Sequence, residues 1–345
     1  MEQKREVTIH DIARRLKVSS ATVSRALRDN PAITRQTRAR VQEAARQLGY
    51  RHNIFASSLR KQQTNTIGII VHELNSHFIT SVLTGIEKVT SAAGYDLIIA
   101  HSAESYKKEV ANVTNLFHKR VDGLIASLAC DTNRLDHYAL FEDKGIPVVF
   151  FDRVEETVGS TRVIIDNYTC GYLATQHLIE QGCRRIALVT ANLERNVYQE
   201  RFQGYQAALT ANGLLLEEKL VLIRGLQESC GREAAAAILQ MAPLPDGVFI
   251  TNDFTASVCL QHFKQHGLRI PADIAIVGFN NDVIGRLVEP ALTTIDYCGE
   301  EMGEQAARSL IEHLQAPAVN VPATTISIRS QLIVRESSLK KPHAS

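Results

Sequence analysis

A short stretch near the N-terminus places small polar side chains and arginines at the spacing of one helical face. Ser20, Ala21, Ser24, Arg25 and Arg28 recur at intervals that one side of a helix would bring together. Arginine can donate two hydrogen bonds to the edge of a guanine, and short neighbouring side chains allow a close approach to base pairs. The spacing therefore favours contact with the major groove of DNA.

Two short helices joined by a tight turn are predicted to carry this face. Apolar residues recur at i, i+3, i+4 and i+7 between Ile9 and Leu16, and Thr8 with Asp11 forms a capping-box-like start. Ser19 has the side chain of an N-cap for the second helix. This arrangement is typical of a helix-turn-helix.

A third helix is predicted between the cap residue Thr34 and the stop residue Gly49. The alternative to DNA binding is a small helical bundle with a solvated basic face. The charge distribution favours DNA, because residues 1–62 carry a net charge of +9 while the whole chain carries +1. A basic N-terminal segment on an acidic body is expected of a protein that binds nucleic acid through that segment.

The segment from Asn53 to Lys61 has the pattern of one to two helical turns. So short a helix is marginal in water, and a flexible linker is the alternative interpretation. The sharper hypothesis is a hinge helix near 53–61 that forms only on DNA. Leu59 would then wedge between base pairs, and Arg60 would lie in the minor groove.

The chain length, composition and apolar runs predict a soluble, cytoplasmic protein of more than one domain. At 345 residues and 45% hydrophobic content, the chain exceeds the size of a single core. No secretory apolar region opens it, and runs such as Ile67 to Val71 are too short to span a bilayer, so no membrane partner is expected. The six cysteines form no C-x-x-C pair, which predicts reduced thiols, no metal site and no cofactor.

From Thr66 onward, apolar runs of strand length alternate with amphipathic segments of helical length. This alternation predicts an α/β body of two doubly wound parallel-sheet lobes, with helices on both faces of each sheet. The N-terminal helix-turn-helix forms a separate, small all-α domain in this scheme. Glycines such as Gly94 and Gly182 are placed where helices should end.

Polar side chains follow the predicted strands directly, at the edge where such sheets bind ligands. Hydroxyls, amides and carboxylates of this kind fit a sugar, a nucleoside or a similar polar metabolite in a cleft between the lobes. For any one of these residues, a capping or turn role is an equally good interpretation. The set comprises His72 to Phe78, His101, Ser102, Ser127, Asp152, Arg153, Thr190 to Asn192, Asn252, Asp253 and Asn280 to Asp282.

Several motifs together resemble the LacI/GalR-type bacterial repressors. At the N-terminus they are VTIHDIARRLKVSSATVSRALR, TRARVQEAARQLGY and NIFASSLR; in the body they are RVDGLIAS, IPVVFFDR, RFQGYQAAL, FITNDFTA, IAIVGFNND, PALTTID and LIVRES. The resemblance covers essentially the whole chain. It implies a homodimer that binds a near-palindromic operator in double-stranded DNA, hinge helices that insert a leucine, and a type I periplasmic-binding-protein-like core that binds a small-molecule effector.

The resemblance also implies domain boundaries and site residues. Residues 1–62 would bind DNA and 63–345 would bind the effector and dimerise, with lobe 1 at about 63–162 plus 293–322 and lobe 2 at about 163–292 plus 323–340. The implied DNA-binding residues are Thr8, Ser19, Ser20, Ala21, Thr22, Ser24, Arg25, Arg28, Asn53, Leu59 and Arg60. The implied effector-binding residues are His72, Phe78, Ser127, Asp152, Arg201, Leu226, Asn252, Asp253, Asn280 and Tyr297.

Two departures from the family pattern refine this expectation. Many members carry an Asp where this chain has Asn280, and an uncharged amide leaves room for an effector with a carbonyl or an anionic group near Arg153 and Arg201. An interlobe ion pair is the alternative role for Arg201. After Arg335 no heptad repeat follows, which favours a dimer over a tetramer built from a tail helix bundle.

Two other classes of protein are less consistent with the sequence. An enzyme is not predicted, because the chain has no G-x-G-x-x-G at its first strand, no P-loop, no G-x-S-x-G and no H-E-x-x-H. His262 and His266 could hold a metal, but a solvated helix face is favoured because no third ligand is suitably spaced. A solute-binding protein would need an export signal and would lack the basic N-terminus. Whether the effector releases or promotes DNA binding is not encoded in any pattern.

Overall fold

The chain divides into two compact units, Met1–Thr64 and Asn65–Ser345. The structure is a computed structural model, and the residues that it describes are 7–50, 63–155, 159–315 and 322–340. The predicted hinge near 53–61, with Asn53, Leu59 and Arg60, lies outside the described residues.

Capping side chains define the helices of the N-terminal unit, which are α1 (Ile9–Leu16), α2 (Ser20–Leu27) and α3 (Arg35–Leu48). The Thr8 amide donates to Oδ2 of Asp11 at 2.9 Å, and the Thr22 amide donates to Oγ of Ser19 at 3.1 Å. At the other end of the unit, Gly49 has a φ of 69° and terminates α3. The predicted caps and stop therefore produce the helix boundaries.

A small apolar core joins these helices. Ile12, Val23, Ala26 and Val41 are fully buried, one or two from each helix. Because Val23 and Ala26 face inward, the helical period turns Ser20, Ser24 and Arg28 away from the core. The core thus fixes which side of α2 is presented outward.

The body alternates strands and helices as the sequence predicts. In chain order its elements are β1 (Thr66–Val71), α4 (His77–Ala92), β2 (Asp96–His101), α5 (Tyr106–His118), β3 (Gly123–Ala126), α6 (Ala139–Glu142), β4 (Val148–Phe151), β5 (Thr161–Ile165), α7 (Asn167–Glu180), β6 (Ile186–Thr190), α8 (Asn196–Ala211), β7 (Val221–Ile223), α9 (Glu228–Leu239), β8 (Gly247–Ile250), α10 (Asp253–Gln265), β9 (Ala275–Val277), α11 (Val283–Leu287), β10 (Thr294–Ile295), α12 (Gly299–Gln315), β11 (Thr325–Ile328) and β12 (Leu332–Ile333).

Two parallel sheets form the two lobes. Lobe 1 contains six strands in the order β11-β5-β4-β3-β1-β2, and lobe 2 contains four in the order β7-β6-β8-β9. Strands such as β3 and β8 are buried along their whole length, because helices cover both faces of each sheet. The carboxyl ends of the parallel strands therefore carry the residues available for a ligand in each lobe.

Glycines allow the closest helix contact of lobe 2, between α7 and α8. A Cβ atom built on Gly171 would lie 2.3 Å from the backbone oxygen of Arg201, and one built on Gly204 would lie 2.1 Å from that of Tyr168. Only glycine permits this approach, because the obstructing atoms belong to the backbone. The close approach determines how far Arg201 reaches toward the sheet.

The lobe boundaries differ from the expected ones. Strand β5 pairs with β4, and β11 pairs with β5, so residues 163–165 and 325–328 belong to lobe 1 rather than lobe 2. Strand β5 carries Arg162 within it, and β11 is an exposed edge strand that contains Thr325 and Ser327. β11 does not have the pattern of an apolar run because it is an edge strand and is largely exposed, and β5 does not because its first two residues are polar.

The chain passes between the lobes at three neighbouring places, at 165–167, 295–299 and 328–332. The Asp296 amide donates to the Gln331 oxygen at 2.9 Å, and Cys298 Sγ lies 3.5 Å from the Arg329 oxygen. The antiparallel pair β10–β12 lies beside these crossings. The final segment then returns to lobe 2, where the Ile276 amide donates to the Ser337 oxygen.

Candidate functional site

The outward side of α2 forms one continuous surface. Ser20, Ala21, Ser24, Arg25 and Arg28 line a single shallow depression, as the sequence predicts, and Ile9 and Asn30 complete its edge. Both arginines are exposed, and the Arg25 Nε donates to the Ala21 oxygen at 3.4 Å. Small side chains at the start of the helix and guanidinium groups toward its end give a surface that can enter a major groove and bind phosphates or guanine.

The remaining predicted residues of this unit act locally on the helix starts. Thr8 Oγ1 donates to Asp11 Oδ2 at 2.7 Å, and Ser19 Oγ and Thr22 Oγ1 lie 2.8 Å apart. These contacts orient the side chains that accept from the amides of Thr8 and Thr22 at the beginnings of α1 and α2. The three hydroxyls therefore hold the helix that presents the surface.

A cluster of aromatic rings around a buried guanidinium occupies the space between the lobes of the body. Arg201 on α8 is 2% exposed, and its guanidinium lies 3.6 Å from the ring centroid of Phe279 and 4.8 Å from that of Tyr297. On lobe 1, Phe78 stacks on Tyr297 with ring centroids 4.2 Å apart. Such contacts attract a cation to the ring faces. The rings hold the Arg201 side chain in one orientation.

Two neutral acceptors complete the fixed surroundings of Arg201. Its Nε donates to Oδ1 of Asn167 at 2.8 Å, and its Nη1 donates to the Thr251 oxygen at 3.2 Å. Asn167 begins α7, and Thr251 directly follows β8. Three elements of lobe 2 therefore position one guanidinium, and the interlobe ion pair considered from the sequence is not the contact that holds it.

Asp152 faces this cluster from the end of β4. The residue has a φ of 60° and is 4% exposed, and its Oδ1 accepts a hydrogen bond from the Tyr297 hydroxyl. Burial raises the pKa of Asp152, while the positive charge of Arg153, the Tyr297 hydroxyl and Arg201 oppose that rise. The same burial raises the pKa of Tyr297 well above its ordinary value, so the hydroxyl remains a donor.

Direct hydrogen bonds connect the two lobes beside Asp152. Arg153 donates to both carboxylate oxygens of Glu104 at 2.8 and 2.7 Å within lobe 1, and to the Tyr198 hydroxyl of lobe 2 at 3.0 Å. The side chain of Asn196, at the start of α8, accepts from the Val154 amide and donates to the main-chain oxygen of Asp152, both at 3.2 Å. A molecule that binds here would affect contacts that hold the lobes together.

His72 and Ser127 lie side by side at the ends of the adjacent strands β1 and β3. His72 Nδ1 is 3.0 Å from Ser127 Oγ, and both side chains are buried. Burial and the nearby Arg153 charge lower the pKa of His72 well below its ordinary value. This pair is therefore a neutral hydrogen-bonding site.

Four other predicted cleft residues have local roles in lobe 2. Asn252 caps α10 by accepting from the Thr255 amide at 3.0 Å, and the Leu226 oxygen accepts from the Thr255 hydroxyl at 2.8 Å. Asn280 lies just after β9 with a φ of 115°. Asp253 is fully buried. For Asn252, the capping role weighed from the sequence is the one that the structure shows.

The Asp253 carboxylate stabilises the interior of lobe 2. It accepts from the Asp282 amide and from the Thr294 hydroxyl, both at 2.8 Å. Burial raises the pKa of Asp253 to about 7, against the effect of its hydrogen bonds. Because both Asp253 oxygens accept hydrogen bonds from other residues of lobe 2, the structure assigns this residue a role in folding rather than the predicted effector contact.

Sequence reasoning missed several residues that the structure brings to the cleft, namely Asn167, Arg195, Asn196, Tyr198 and Phe279. Asn167 follows β5, whose apolar run of three residues is too short to predict a strand. The three residues near the start of α8 follow a loop after β6 rather than the strand itself. Phe279 directly precedes the predicted residue Asn280, but its apolar ring does not fit the polar pattern from which the other cleft residues are predicted.

Comparison with known proteins assigns both units. Residues 8–53 match the family model described as bacterial regulatory proteins, lacI family, and residues 175–338 match the model of a periplasmic binding protein-like domain. The catabolite control protein A of Priestia megaterium is 30% identical, covering 96% of this chain and 99% of the relative. The chain belongs to the LacI family. It is thus a DNA-binding transcriptional regulator and not an enzyme, as predicted.

Other members of the LacI family agree with this assignment. The transcriptional repressor PurR of Erwinia tasmaniensis is 31% identical, covering 97% of this chain and 98% of the relative. The solved structure of the transcriptional regulator CelR in complex with cellobiose is 28% identical, with a TM-score of 0.73, and covers 96% of this chain and 100% of that one. The α/β body with a helix-turn-helix N-terminus is therefore the fold of this family.

Neither a membrane-spanning helix nor a metal site is found among the described residues. None of the helices in the described ranges is long and apolar enough to cross a membrane. Among the same residues, no three His, Cys, Asp or Glu side chains are grouped as a metal site would require. His266 Nδ1 lies 2.8 Å from the His262 oxygen, so a ring nitrogen of this pair is used within the helix.

Proposed function

We propose that this LacI-family regulator is a repressor that binds a near-palindromic operator as a homodimer and is switched by a small polar metabolite in the interlobe cleft. The observation that carries the proposal is the surface of α2, where five residues of suitable size and charge share one side of a capped helix. A repressor of operators acts in the cytoplasm, where the chromosome lies.

The α2 surface supports recognition of base pairs together with phosphates. Ser20 and Ala21 lie at the start of the helix, where short side chains let it approach base edges. Arg25 and Arg28 supply the positive charge. The uneven charge of the chain, +9 over residues 1–62, supports a strong electrostatic contribution to DNA affinity. One such surface reads a half-site, and two copies read a palindrome.

An exposed apolar surface on lobe 2 supports the homodimer. Phe254, Val283 and Leu287 on α10 and α11 are 40%, 40% and 78% exposed. The same two helices carry a groove lined by Ser257 and Ile284, among other residues. Exposed apolar side chains grouped on neighbouring helices are typical of a protein interface. A second copy of the chain is the occupant that the proposal assigns to it.

The cleft supports control by a small molecule. Its polar groups include Asp152 and Arg201, and its contacts between the lobes involve Arg153, Asn196 and Tyr198. An effector that prefers one orientation of the lobes shifts the population of the conformation that binds DNA. By linkage, DNA changes the affinity for the effector by the same factor. The cellobiose bound by CelR supports a sugar-like effector here.

The test is selection of bound DNA from a random pool, followed by fluorescence anisotropy on the recovered sequence over a range of salt concentrations. We expect an inverted repeat, and an affinity that falls with salt with a slope set by the number of phosphates contacted. Arg25→Ala should weaken binding by about tenfold or more, as expected for the loss of one good arginine contact.

Arg46→Ala is the matched control, because Arg46 is an exposed arginine of α3 whose partner is Glu43 at 3.0 Å. It should change operator affinity much less than Arg25→Ala does. The proposal is wrong if the chain shows no retention on DNA at low salt, or if the selected sequences lack a repeat. An effect of Arg46→Ala equal to that of Arg25→Ala would place recognition elsewhere.

A further inference from the structure

The cleft contains buried guanidinium groups with hydrogen-bond donors that the protein does not satisfy. Arg201 is 2% exposed, and Arg195 is 3% exposed. Within the described ranges, Nη2 of Arg201 and both Nε and Nη1 of Arg195 have no hydrogen-bond partner. A buried donor is normally paired, so such groups require an explanation. Arg195 is the N-cap residue of α8, and Arg201 lies in the second turn of the same helix.

The carboxylates nearby are already engaged or poorly placed. Glu104 binds Arg153 through both of its oxygens, and Asp152 accepts from the Tyr297 hydroxyl. Glu155 Oε1 lies 3.2 Å from Arg195 Nη1, but not in hydrogen-bond geometry, and its side chain is 38% exposed. The acceptors that contact Arg201 are the neutral oxygens of Asn167 and Thr251. Within the described residues, three guanidinium nitrogens of these two arginines therefore lack a hydrogen-bond acceptor.

The first turn of α8 provides further hydrogen-bond donors beside these arginines. Arg195 is the N-cap residue, and no side chain caps the free amides of the first turn. A helix start carries a partial positive charge and binds anions readily. Asn280, which follows β9, is neutral and does not oppose a negative ligand, and the Asp282 carboxylate beyond it lies 3.3 Å from the His77 ring.

The geometry points to an effector that carries an anionic group, a carboxylate or a phosphate, bound by Arg201 and Arg195 at the start of α8. This inference rests on the proposed effector function of the cleft and specifies the chemical class of its ligand. Guanidinium groups bind both oxyanions through parallel, charge-assisted hydrogen bonds. The ligand supplies the acceptors that the protein lacks. Asp152 and the His72–Ser127 pair remain for hydroxyls elsewhere on the molecule.

The test compares two probes that differ in one group. D-Gluconate and sorbitol have the same hydroxylated carbon chain, but the first ends in a carboxylate and the second in an alcohol. Isothermal titration of the full chain at constant ionic strength should show gluconate binding about tenfold or more tightly than sorbitol, as expected for a charge-assisted contact to a buried guanidinium. Inorganic phosphate should compete with gluconate, and chloride should not.

Variants locate the anion site. Arg195→Gln should reduce gluconate affinity by about tenfold and leave sorbitol affinity unchanged. It is the informative variant, because the Nε and Nη1 atoms of Arg195 make no hydrogen bond, and the Glu155 carboxylate that lies 3.2 Å from Nη1 is 38% exposed and retains access to water. Arg201→Lys retains the charge but not the planar pair of donors, so it should weaken gluconate more than sorbitol. Arg269→Gln is the matched control, since Arg269 is exposed and pairs with Asp273.

Equal affinity for gluconate and sorbitol would overturn the inference, as would a failure of both gluconate and phosphate to bind. A preference for gluconate that survives both Arg195→Gln and Arg201→Lys would also overturn it. Operator binding in the same samples separates this inference from the proposed function. Salt-dependent DNA binding without any preference for anions removes only the inference. Anion binding without DNA binding removes only the proposed repressor function.

Discussion

Replacing Gly171 by alanine should test whether the close packing of α7 on α8 positions the cleft guanidinium. The added Cβ would lie 2.3 Å from the oxygen and 2.8 Å from the Cα of Arg201. Both are backbone atoms, so no side chain can rotate to relieve the clash. The helices must separate, and Arg201 must move away from Asn167 and the rings of Phe279 and Tyr297.

The expected cost follows from this geometry. Overpacking a close contact typically costs about 1 to 3 kcal/mol, and here relief requires a shift of an entire helix. The better helix propensity of alanine offsets up to about 1 kcal/mol. We therefore expect a loss of about 2 kcal/mol, which lowers the melting temperature by about 4 to 8 °C for a domain of this size. Effector affinity should fall as well, because the Arg201 contacts are displaced.

The assay is thermal and urea unfolding of the full chain, together with titration of gluconate. Gly231→Ala is the matched control, since it adds the same methyl group to the first turn of helix α9, where the nearest atom is a side-chain carbon of Val258 at 3.0 Å rather than a backbone atom. We expect that variant to retain or gain stability. If Gly171→Ala proves as stable as Gly231→Ala and binds effector normally, the helix contact does not position Arg201 as we have argued.

Three further outcomes follow from single contacts. Ser19→Ala removes the N-cap of α2 and should reduce the stability of the N-terminal unit by about 1 kcal/mol, measured by urea unfolding; unchanged stability would mean that the cap contributes nothing. Tyr297→Phe leaves the buried Asp152 without its hydroxyl donor and should cost about 1 to 3 kcal/mol of stability or effector binding, so a silent variant would contradict that hydrogen bond. The pKa of Asp253 is raised to about 7 in the folded protein, so the folded state holds its proton more tightly than the unfolded chain does. This contribution to stability is lost as the pH rises from about 4 to about 7. Asp253→Asn should make the unfolding free energy less dependent on pH in that window, and an unchanged dependence would exclude Asp253 as its source.

The N-terminal unit is predictable in detail because its signals are local. Thr8 and Asp11, Ser19, Thr34 and Gly49 each specify a helix end from within a few residues. The apolar runs of the central strands are equally local, since burial on both faces leaves little choice of residue. For this reason the sequence predicts both the α2 surface and the α/β class of the body.

The cleft is less predictable because its geometry depends on contacts between distant residues. Asn167 and Phe279 meet Arg201 only after α7, α8 and β9 have assembled. The edge strand β11 has a polar, exposed pattern that does not distinguish it from a loop, so the lobe boundary was placed wrongly. Asp253 follows a strand, as a ligand-binding residue would, but its carboxylate turns inward to Thr294 and Asp282. The ends of strands identify candidate ligand-binding positions in the sequence, whereas the direction in which each side chain points depends on the assembled fold.

The three crossings between the lobes limit how the body can move. Two bodies connected by a single linker could twist, slide and separate in any direction. Here three short segments lie side by side, because Asp296 is hydrogen-bonded to Gln331 and Ile165 pairs with Ile328. Translation and twisting would therefore strain all of them at once. Rotation about the line of the crossings is the motion that strains them least. The lobes are thus left with essentially one degree of freedom, and the proposed effector would need only to favour one end of that rotation.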